Sequence, residues 1–318
     1  MKVVMTQAVC PEALAILQDK ASVFIANDGN PNNYVKEIKD ADAIIVRIGT
    51  LDRKAIEQAP NLKVIGRTGV GYDCVDVEAA NERGIPIVIT PGTNNRSVAE
   101  HTIALMFALS KNIVESHIET KNGNFNTVRA NGKMFEILGK KVGIIGLGAI
   151  GAEVARLCKA LGMKTFGYDP LMERGKIEEL GCVYYSNFEL MLGDCDFVSL
   201  HVPLLDVTKN MIGKKQLEMM KQSAFLINCS RGGIVNEADL VEALENETIA
   251  GAGIDVFENE PPSLENPLFR AKNLVWTPHS AAQTQEAVIK MHTMCVESCL
   301  AVLRGEQISN VANKNVYK

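Results

Sequence analysis

Lys141-Val-Gly-Ile-Ile-Gly146-Leu-Gly148-Ala-Ile-Gly151 decides the fold of this chain. Val142 to Ile145 is a short apolar run of the kind that forms a buried strand. Gly146, Gly148 and Gly151 then spell G-x-G-x-x-G, and Ala152 to Leu161 continues with a helical period. The first glycine permits the tight turn, the second lets backbone approach a pyrophosphate, and the third lets the helix pack closely on the strand. The helix N-terminus then faces the phosphate charge. A second apolar run, Lys164-Thr-Phe-Gly-Tyr-Asp169, ends in an acid. Strand, glycine turn, helix and following acid together are the context a dinucleotide fingerprint requires. Asp169 can accept hydrogen bonds from both ribose hydroxyls and repels a 2′-phosphate, which favours NAD over NADP.

The fingerprint begins late in a chain of 318 residues, and that length points to two domains. Apolar residues make up 47% and charged residues 22%, the balance of a soluble globular enzyme. The net charge is −5, and no basic block or stripe appears, which argues against a nucleic-acid surface. No apolar run is long enough for a membrane span. The opening Met-Lys-Val-Val-Met-Thr reads as a strand rather than a signal peptide. The eight cysteines show no C-x-x-C spacing, so reduced thiols of a cytoplasmic protein and no metal site are expected.

The first ninety or so residues alternate strand and helix signals. Strands are expected at 2–5, 22–26, 43–47, 63–67 and 86–88, with helices at 11–18, 33–39, 52–58 and 77–82. Ser97-Val-Ala-Glu100 has capping-box spacing and sets the start of a long helix running to about Glu119. Residues 121–133 read as a polar loop. Seven further strands follow, at 141–146, 164–168, 183–185, 197–201, 224–228, 250–254 and 274–277. A second long helix spans 284–303, and 305–316 reads as a short return segment. The pattern is that of an outer α/β domain interrupted by an inserted dinucleotide-binding domain.

Three later positions bear on chemistry. Ile227-Asn-Cys-Ser-Arg231-Gly-Gly puts an arginine just beyond a strand. Asp255, Glu258 and Glu260 follow the next strand, and Thr277-Pro-His279 follows a third. Strand C-terminal ends face the ligand crevice of open parallel sheets. A guanidinium there can clamp a carboxylate, a histidine can move a proton, and a carboxylate can orient that histidine. Glu258 and Glu260 both remain open as the partner, with the Glu-Pro context favouring Glu260. His101, His117 and His292 lie in helical stretches and read as structural; His201, in a turn beside Pro203, reads as positional.

The order G-x-G-x-x-G, N-x-S-R-G, D-V-F-x-x-E-P and T-P-H resembles that of the D-isomer-specific 2-hydroxyacid dehydrogenases over nearly the whole chain. The resemblance implies an α/β fold of two doubly wound parallel-sheet domains. A Rossmann NAD-binding domain (98–287) is inserted into a smaller flavodoxin-like substrate domain (1–97 and 288–318). It implies Arg231 as the carboxylate clamp, His279 as the general acid or base, and Glu260 as its partner. Cofactor contacts are implied for Gly146, Gly148, Ala149, Ile150, Gly151, Asp169, His201, Pro203, Thr208 and the Cys229 backbone. Asp255 resembles the acid that receives the nicotinamide carboxamide, and Gly69-Val70-Gly71 the loop that binds the substrate carboxylate. Two positions depart from the family's common pattern: Ala149 where arginine is frequent, and Ala281 where glycine is common.

Within the family, the segments Val46–Thr50 and Arg67–Asp73 most resemble D-3-phosphoglycerate dehydrogenases of a short form without a regulatory domain. There a basic residue at the Arg47 position meets the substrate phosphate. Hydroxypyruvate or glyoxylate reductases and D-lactate dehydrogenases share the same core residues. Glu260 disfavours the formate-oxidising branch, which carries glutamine there. NAD-sensing, peptide-binding corepressors of the same fold form a rival of another class. A cytoplasmic homodimer acting on a small 2-hydroxy or 2-keto acid is the expectation.

Overall fold

The computed structural model describes residues 1–132 and 134–317. Lys133, the last residue of the segment read as a loop, and the terminal Lys318 lie outside the described residues. The chain divides into two compact units, Met1–Asn94 with Gln283–Lys318, and Asn95–Ala282.

The first unit opens with β1 (Lys2–Met5), α1 (Pro11–Leu17), β2 (Ser22–Ile25), β3 (Ala43–Val46), α2 (Arg53–Glu57), β4 (Val64–Arg67), α3 (Val77–Glu82) and β5 (Ile87–Val88). Its described strands form a parallel sheet in the order β2-β1-β3-β4-β5, the flavodoxin-like order. β3 is buried along its whole length, as parallel strands covered on both faces must be. Helix Gln285–Leu303 covers one face. A Cβ on Gly66 would lie 2.6 Å from Cys299 Sγ and 2.8 Å from Cys295 Sγ, so only glycine admits the helix this close to β4. The return segment adds to the far edge: Ala312 N donates to Ile87 O and Ile89 N to Asn310 O. Asn313 secures it by accepting from Ile87 N at 2.8 Å.

The second unit comprises α4 (Asn95–Ser110), α5 (Ile113–Lys121), α6 (Phe125–Ala130), β6 (Lys141–Ile145), α7 (Ala149–Ala160), β7 (Lys164–Tyr168), α8 (Arg174–Glu179) and β8 (Val183–Tyr184). It continues through α9 (Phe188–Leu192), β9 (Phe197–Leu200), α10 (Lys214–Met219), β10 (Phe225–Asn228), α11 (Glu237–Glu245), β11 (Gly251–Ile254) and β12 (Leu274–Trp276). The sheet order is β12-β11-β10-β9-β6-β7-β8, and every pairing is parallel. This is the Rossmann order with one strand added, and the direction of winding reverses between β6 and β9. Ligands of such sheets bind beyond the strand ends at that reversal, where the Gly146 turn lies.

The structure corrects four expectations. Residues 33–39 do not form an α-helix; two 3-10 turns, Pro31–Asn33 and Ile38–Asp40, replace it. Tyr34 and Ile38 are nonetheless buried, because short 3-10 turns, a common connector geometry, suffice to bring both side chains inward. The long helix from residue 97 is broken in two, because Asn112 adopts a left-handed conformation with φ of 49°. Asparagine tolerates that conformation and can stop a helix as glycine does. Ser97 does not cap a helix: α4 starts at Asn95, and the Ser97 hydroxyl donates to Ala281 O at 2.6 Å. Finally, part of the polar segment 121–133 is helical, as α6.

Candidate active site

At the β6–α7 turn, Gly146 has a φ of 88°, a region that side chains rarely adopt. A Cβ there would stand 2.5 Å from His201 O. A Cβ on Gly151 would overlap Gly146 O, so the third glycine is required by helix–strand packing. Gly148 differs. It has an ordinary extended backbone, φ −60° and ψ −165°, and a Cβ on it would meet no protein atom within 4 Å. Nothing inside the protein demands glycine there. A cradle that a methyl group would fill, at the N-terminus of α7 with Ala149 and Ile150 as its first residues, fits a dinucleotide pyrophosphate.

Asp169 follows β7. Its Oδ2 accepts from Leu147 N and its Oδ1 from Leu171 N, each at 2.9 Å. The carboxylate is thereby tied to the glycine turn. His201 follows β9, and its N–H donates to Ile145 O. Burial pushes its imidazole down to about 4, so the ring is neutral at physiological pH, and Nε2 lies 2.8 Å from Ser199 Oγ. Thr208 donates to Pro203 O at 2.6 Å and accepts from Leu205 N at 2.7 Å, which closes the turn after β9. Cys229 is buried, and burial, followed by the charge of Asp255, pushes its thiol up to about 12.

Beyond β10, the buried Asn228 shapes the turn that carries Arg231. Its Oδ1 accepts from Ser230 N at 3.0 Å and from the Ser230 hydroxyl at 2.7 Å, while its Nδ2 donates to Arg231 O at 2.9 Å. A Cβ on the next residue, Gly232, would overlap Phe257 O, so the loops after β10 and β11 are in backbone contact. Glu260 lies on the second of these loops. Its Oε1 accepts from Phe257 N at 3.0 Å, and its Oε2 lies 2.6 Å from His279 Nδ1. Burial alone raises the Glu260 carboxyl. The hydrogen bond and charge of His279, the Phe257 amide and the charge of Arg231 outweigh it and hold the group below the usual carboxylate range. Glu258 points elsewhere: it accepts from Glu237 N at 3.1 Å, and its own N–H donates to Glu237 Oε1 at 2.6 Å.

His279 is itself in the left-handed region, with φ of 50°. Asp255, wholly buried, sits beneath it. Its carboxylate accepts from Ser280 N and Ala281 N, each at 2.9 Å, and from the Thr277 hydroxyl at 2.5 Å. The acid that the resemblance assigns to the nicotinamide carboxamide thus already holds the loop bearing His279. Sequence reasoning missed Asn228, Ser97, His101 and Thr277 as parts of this arrangement. The Asn-x-Ser spacing was a usable signal, since it marks a side-chain turn at a strand end.

The remaining expected positions belong to the first unit. Arg47 donates to Ala8 O at 2.7 Å, a carbonyl rather than an acid. Arg67 donates from Nε to Gly71 O at 3.0 Å and from a terminal nitrogen to Arg47 O at 2.8 Å, which braces the Gly69-Val70-Gly71 turn. Beside them, burial and then the charges of Arg47 and Arg67 push His292 down to about 4. Its Nδ1 accepts from Cys10 N at 2.9 Å. Among the described residues no group of three His, Cys, Asp or Glu is placed to hold a metal ion, and no helix is long and apolar enough to cross a membrane.

The second unit is thus a doubly wound α/β unit that carries arginine, glutamate and histidine just beyond three adjacent strands, β10, β11 and β12. Residues 103–281 match the family model described as D-isomer specific 2-hydroxyacid dehydrogenase, NAD binding domain, and the chain belongs to that family. It is 41% identical over 313 residues to a D-3-phosphoglycerate dehydrogenase of Methanocaldococcus jannaschii, covering 98% of this chain and 59% of that protein. The chain therefore spans somewhat over half the length of that relative. It is 36% identical to a glyoxylate reductase of Korarchaeum cryptofilum, covering 100% of this chain and 97% of the other. An NAD-dependent formate dehydrogenase of Staphylococcus aureus, solved with NAD, matches with a TM-score of 0.88 at 28% identity, covering 98% of both chains.

Proposed function

We propose that this chain transfers hydride between NAD and a D-2-hydroxy acid or its 2-keto acid, with Arg231, Glu260 and His279 as the catalytic residues. The observation that carries the reading is the 2.6 Å contact between His279 Nδ1 and Glu260 Oε2, which leaves Nε2 of His279 to face a substrate. NAD, when bound, supplies or accepts the hydride. Arg231 binds the substrate carboxylate in bidentate fashion and stabilises charge on the carbonyl oxygen. His279 gives that oxygen a proton in reduction and takes it back in oxidation. Glu260 fixes the ring's orientation through its contact with Nδ1.

The NAD-binding domain is 98–287, and the substrate domain is 1–97 with 288–318. Gly146 to Gly151, Asp169, the His201–Pro203 turn, Thr208, Cys229 and Asp255 contact the cofactor; Arg47, Gly69, Val70 and Gly71 contact the substrate. Asp169 selects NAD over NADP. The substrate is 3-phosphoglycerate or its keto acid, and the relatives keep glyoxylate and hydroxypyruvate as the alternative. The working form is a cytoplasmic homodimer. Its support is the exposed apolar surface at Ile113, Val114, Ile118, Phe125, Met134 and Leu138, which a second copy would cover.

The test is turnover of phosphohydroxypyruvate, hydroxypyruvate, glyoxylate and pyruvate with NADH and NADPH. His279→Ala should lower kcat at least about 100-fold, the contribution of a positioned general acid. Near-wild-type turnover in that variant overturns the assignment. Specific peptide binding with no turnover of any 2-keto acid points instead to a corepressor.

A further inference from the structure

His279 is held in a conformation that costs a non-glycine residue strain, and such strain persists only where the surroundings over-determine it. Some of the restraint is local. His279 N donates to Asp255 O at 2.7 Å and to Thr277 O at 3.0 Å. The amides of Ser280 and Ala281 grip the two oxygens of the Asp255 carboxylate.

The rest comes from α4. Ser97 and His101 are one helical turn apart and share a face of that helix. Ser97 Oγ donates to Ala281 O at 2.6 Å. His101 Nε2 lies 2.9 Å from Thr277 Oγ1 and 3.5 Å from Asp255 Oδ1. The Thr277 hydroxyl proton is already committed to Asp255 Oδ1, so Thr277 can only accept from His101, and Nε2 is the donor. The two side chains therefore meet the first and last residues of the segment Thr277–Ala281, with His279 between them.

We propose that Ser97 and His101 are positioning residues for proton transfer: from one face of α4 they clamp both ends of the 277–281 loop and so keep His279 in its left-handed conformation and in register with Glu260. Neither touches the reacting atoms. The inference rests on the assignment of proton transfer to His279 made above.

The full chain carrying Ser97→Ala, His101→Leu, His101→Gln or His279→Ala tests it, with NADH and whichever 2-keto acid the wild type reduces fastest. Ser97→Ala and His101→Leu should each lower kcat about ten-fold or more, because small misplacements of a catalytic group are costly. NADH affinity by calorimetry should stay within about two-fold, since the loss lies in the chemical step. His101→Gln, whose amide can donate to Thr277, should recover most of the loss. Wild-type kcat in both Ser97→Ala and His101→Leu, or no recovery in His101→Gln, overturns the clamp. If His101→Leu does not fold, Ser97→Ala, which removes a single oxygen, decides alone. His279→Ala separates the two levels. An inactive His279→Ala beside unaffected clamp variants refutes the clamp only, whereas an active His279→Ala refutes the proton-transfer assignment itself.

Discussion

Gly148 and Gly151 should fail in opposite ways when changed to alanine, and that contrast tests the nucleotide cradle. At Gly148 the backbone is already extended and a Cβ meets no protein atom within 4 Å. The change should therefore be close to neutral for the fold. Gly-to-Ala replacement at a compatible site gains about 0.4–1 kcal/mol, and exchanging glycine for alanine at an N-cap costs a similar amount. The melting temperature should move by no more than about 2 °C. The methyl group instead occupies space that a pyrophosphate oxygen needs to reach the turn amides. A hydrogen bond to a charged group is worth about 1.5–3 kcal/mol. At 1.4 kcal/mol per factor of ten, the Kd for NADH should rise about 10- to 150-fold.

Gly151→Ala drives a methyl group into Gly146 O, and α7 must move away from β6. Overpacking of this kind costs about 1–3 kcal/mol, or roughly 2–12 °C in melting temperature for a unit of this size. Calorimetric titration with NADH and scanning fluorimetry on both variants provide the assay. A Gly148→Ala protein that binds NADH like the wild type, or one destabilised as much as Gly151→Ala, would refute the reasoning.

Other outcomes are expected. Asp169→Ala should narrow the preference for NADH over NADPH, measured as the ratio of kcat/KM values, by removing ribose hydrogen bonds and the repulsion of a 2′-phosphate; a wild type that prefers NADPH contradicts the role given to Asp169. Arg47→Ala should raise KM for phosphohydroxypyruvate strongly and KM for glyoxylate little, with kcat less affected, because a remote charge contact acts on ground and transition states alike. Equal losses on both substrates would move the preferred substrate to an unphosphorylated acid. The buried His292, held down to about 4 by burial and then by the charges of Arg47 and Arg67, makes stability pH-dependent. The unfolded chain protonates first, near 6.5, so His292 leaves stability intact above that pH and erodes it as pH falls from there toward 4, by at most about 1.4 kcal/mol per pH unit. His201, held down to about 4 by burial, adds a similar contribution, so denaturant unfolding at pH 7, 6 and 5 should show a slope that His292→Gln reduces by about half; an unchanged slope removes His292 as a source.

The strands and the glycine turn were legible in the sequence because their causes are local. Apolar runs such as Val142–Ile145 and Phe197–Leu200 can only be buried, and a G-x-G-x-x-G after such a run marks by itself a tight strand-to-helix turn with a close helix–strand contact. The positions of Arg231, Glu260 and His279 just beyond strands could be read in the same way, since parallel strands end on a common side. Helix boundaries were less legible. The break at Asn112 depends on one residue entering a left-handed conformation that its sequence permits but does not require.

Tertiary structure alone decided which side chains meet. Glu258 and Glu260 are two residues apart with the same chemistry, and only the path of the loop after β11, packed against Gly232, turns one toward Glu237 and the other toward His279. Ser97 offered a capping-box spacing, but a hydroxyl can serve a helix end or a neighbouring carbonyl equally well. Its choice of Ala281 O arises from a loop that lies far along the chain and next to α4 in space. Hydrogen-bond partners at that separation are set by the packing of helix on sheet, which no local pattern of residues records.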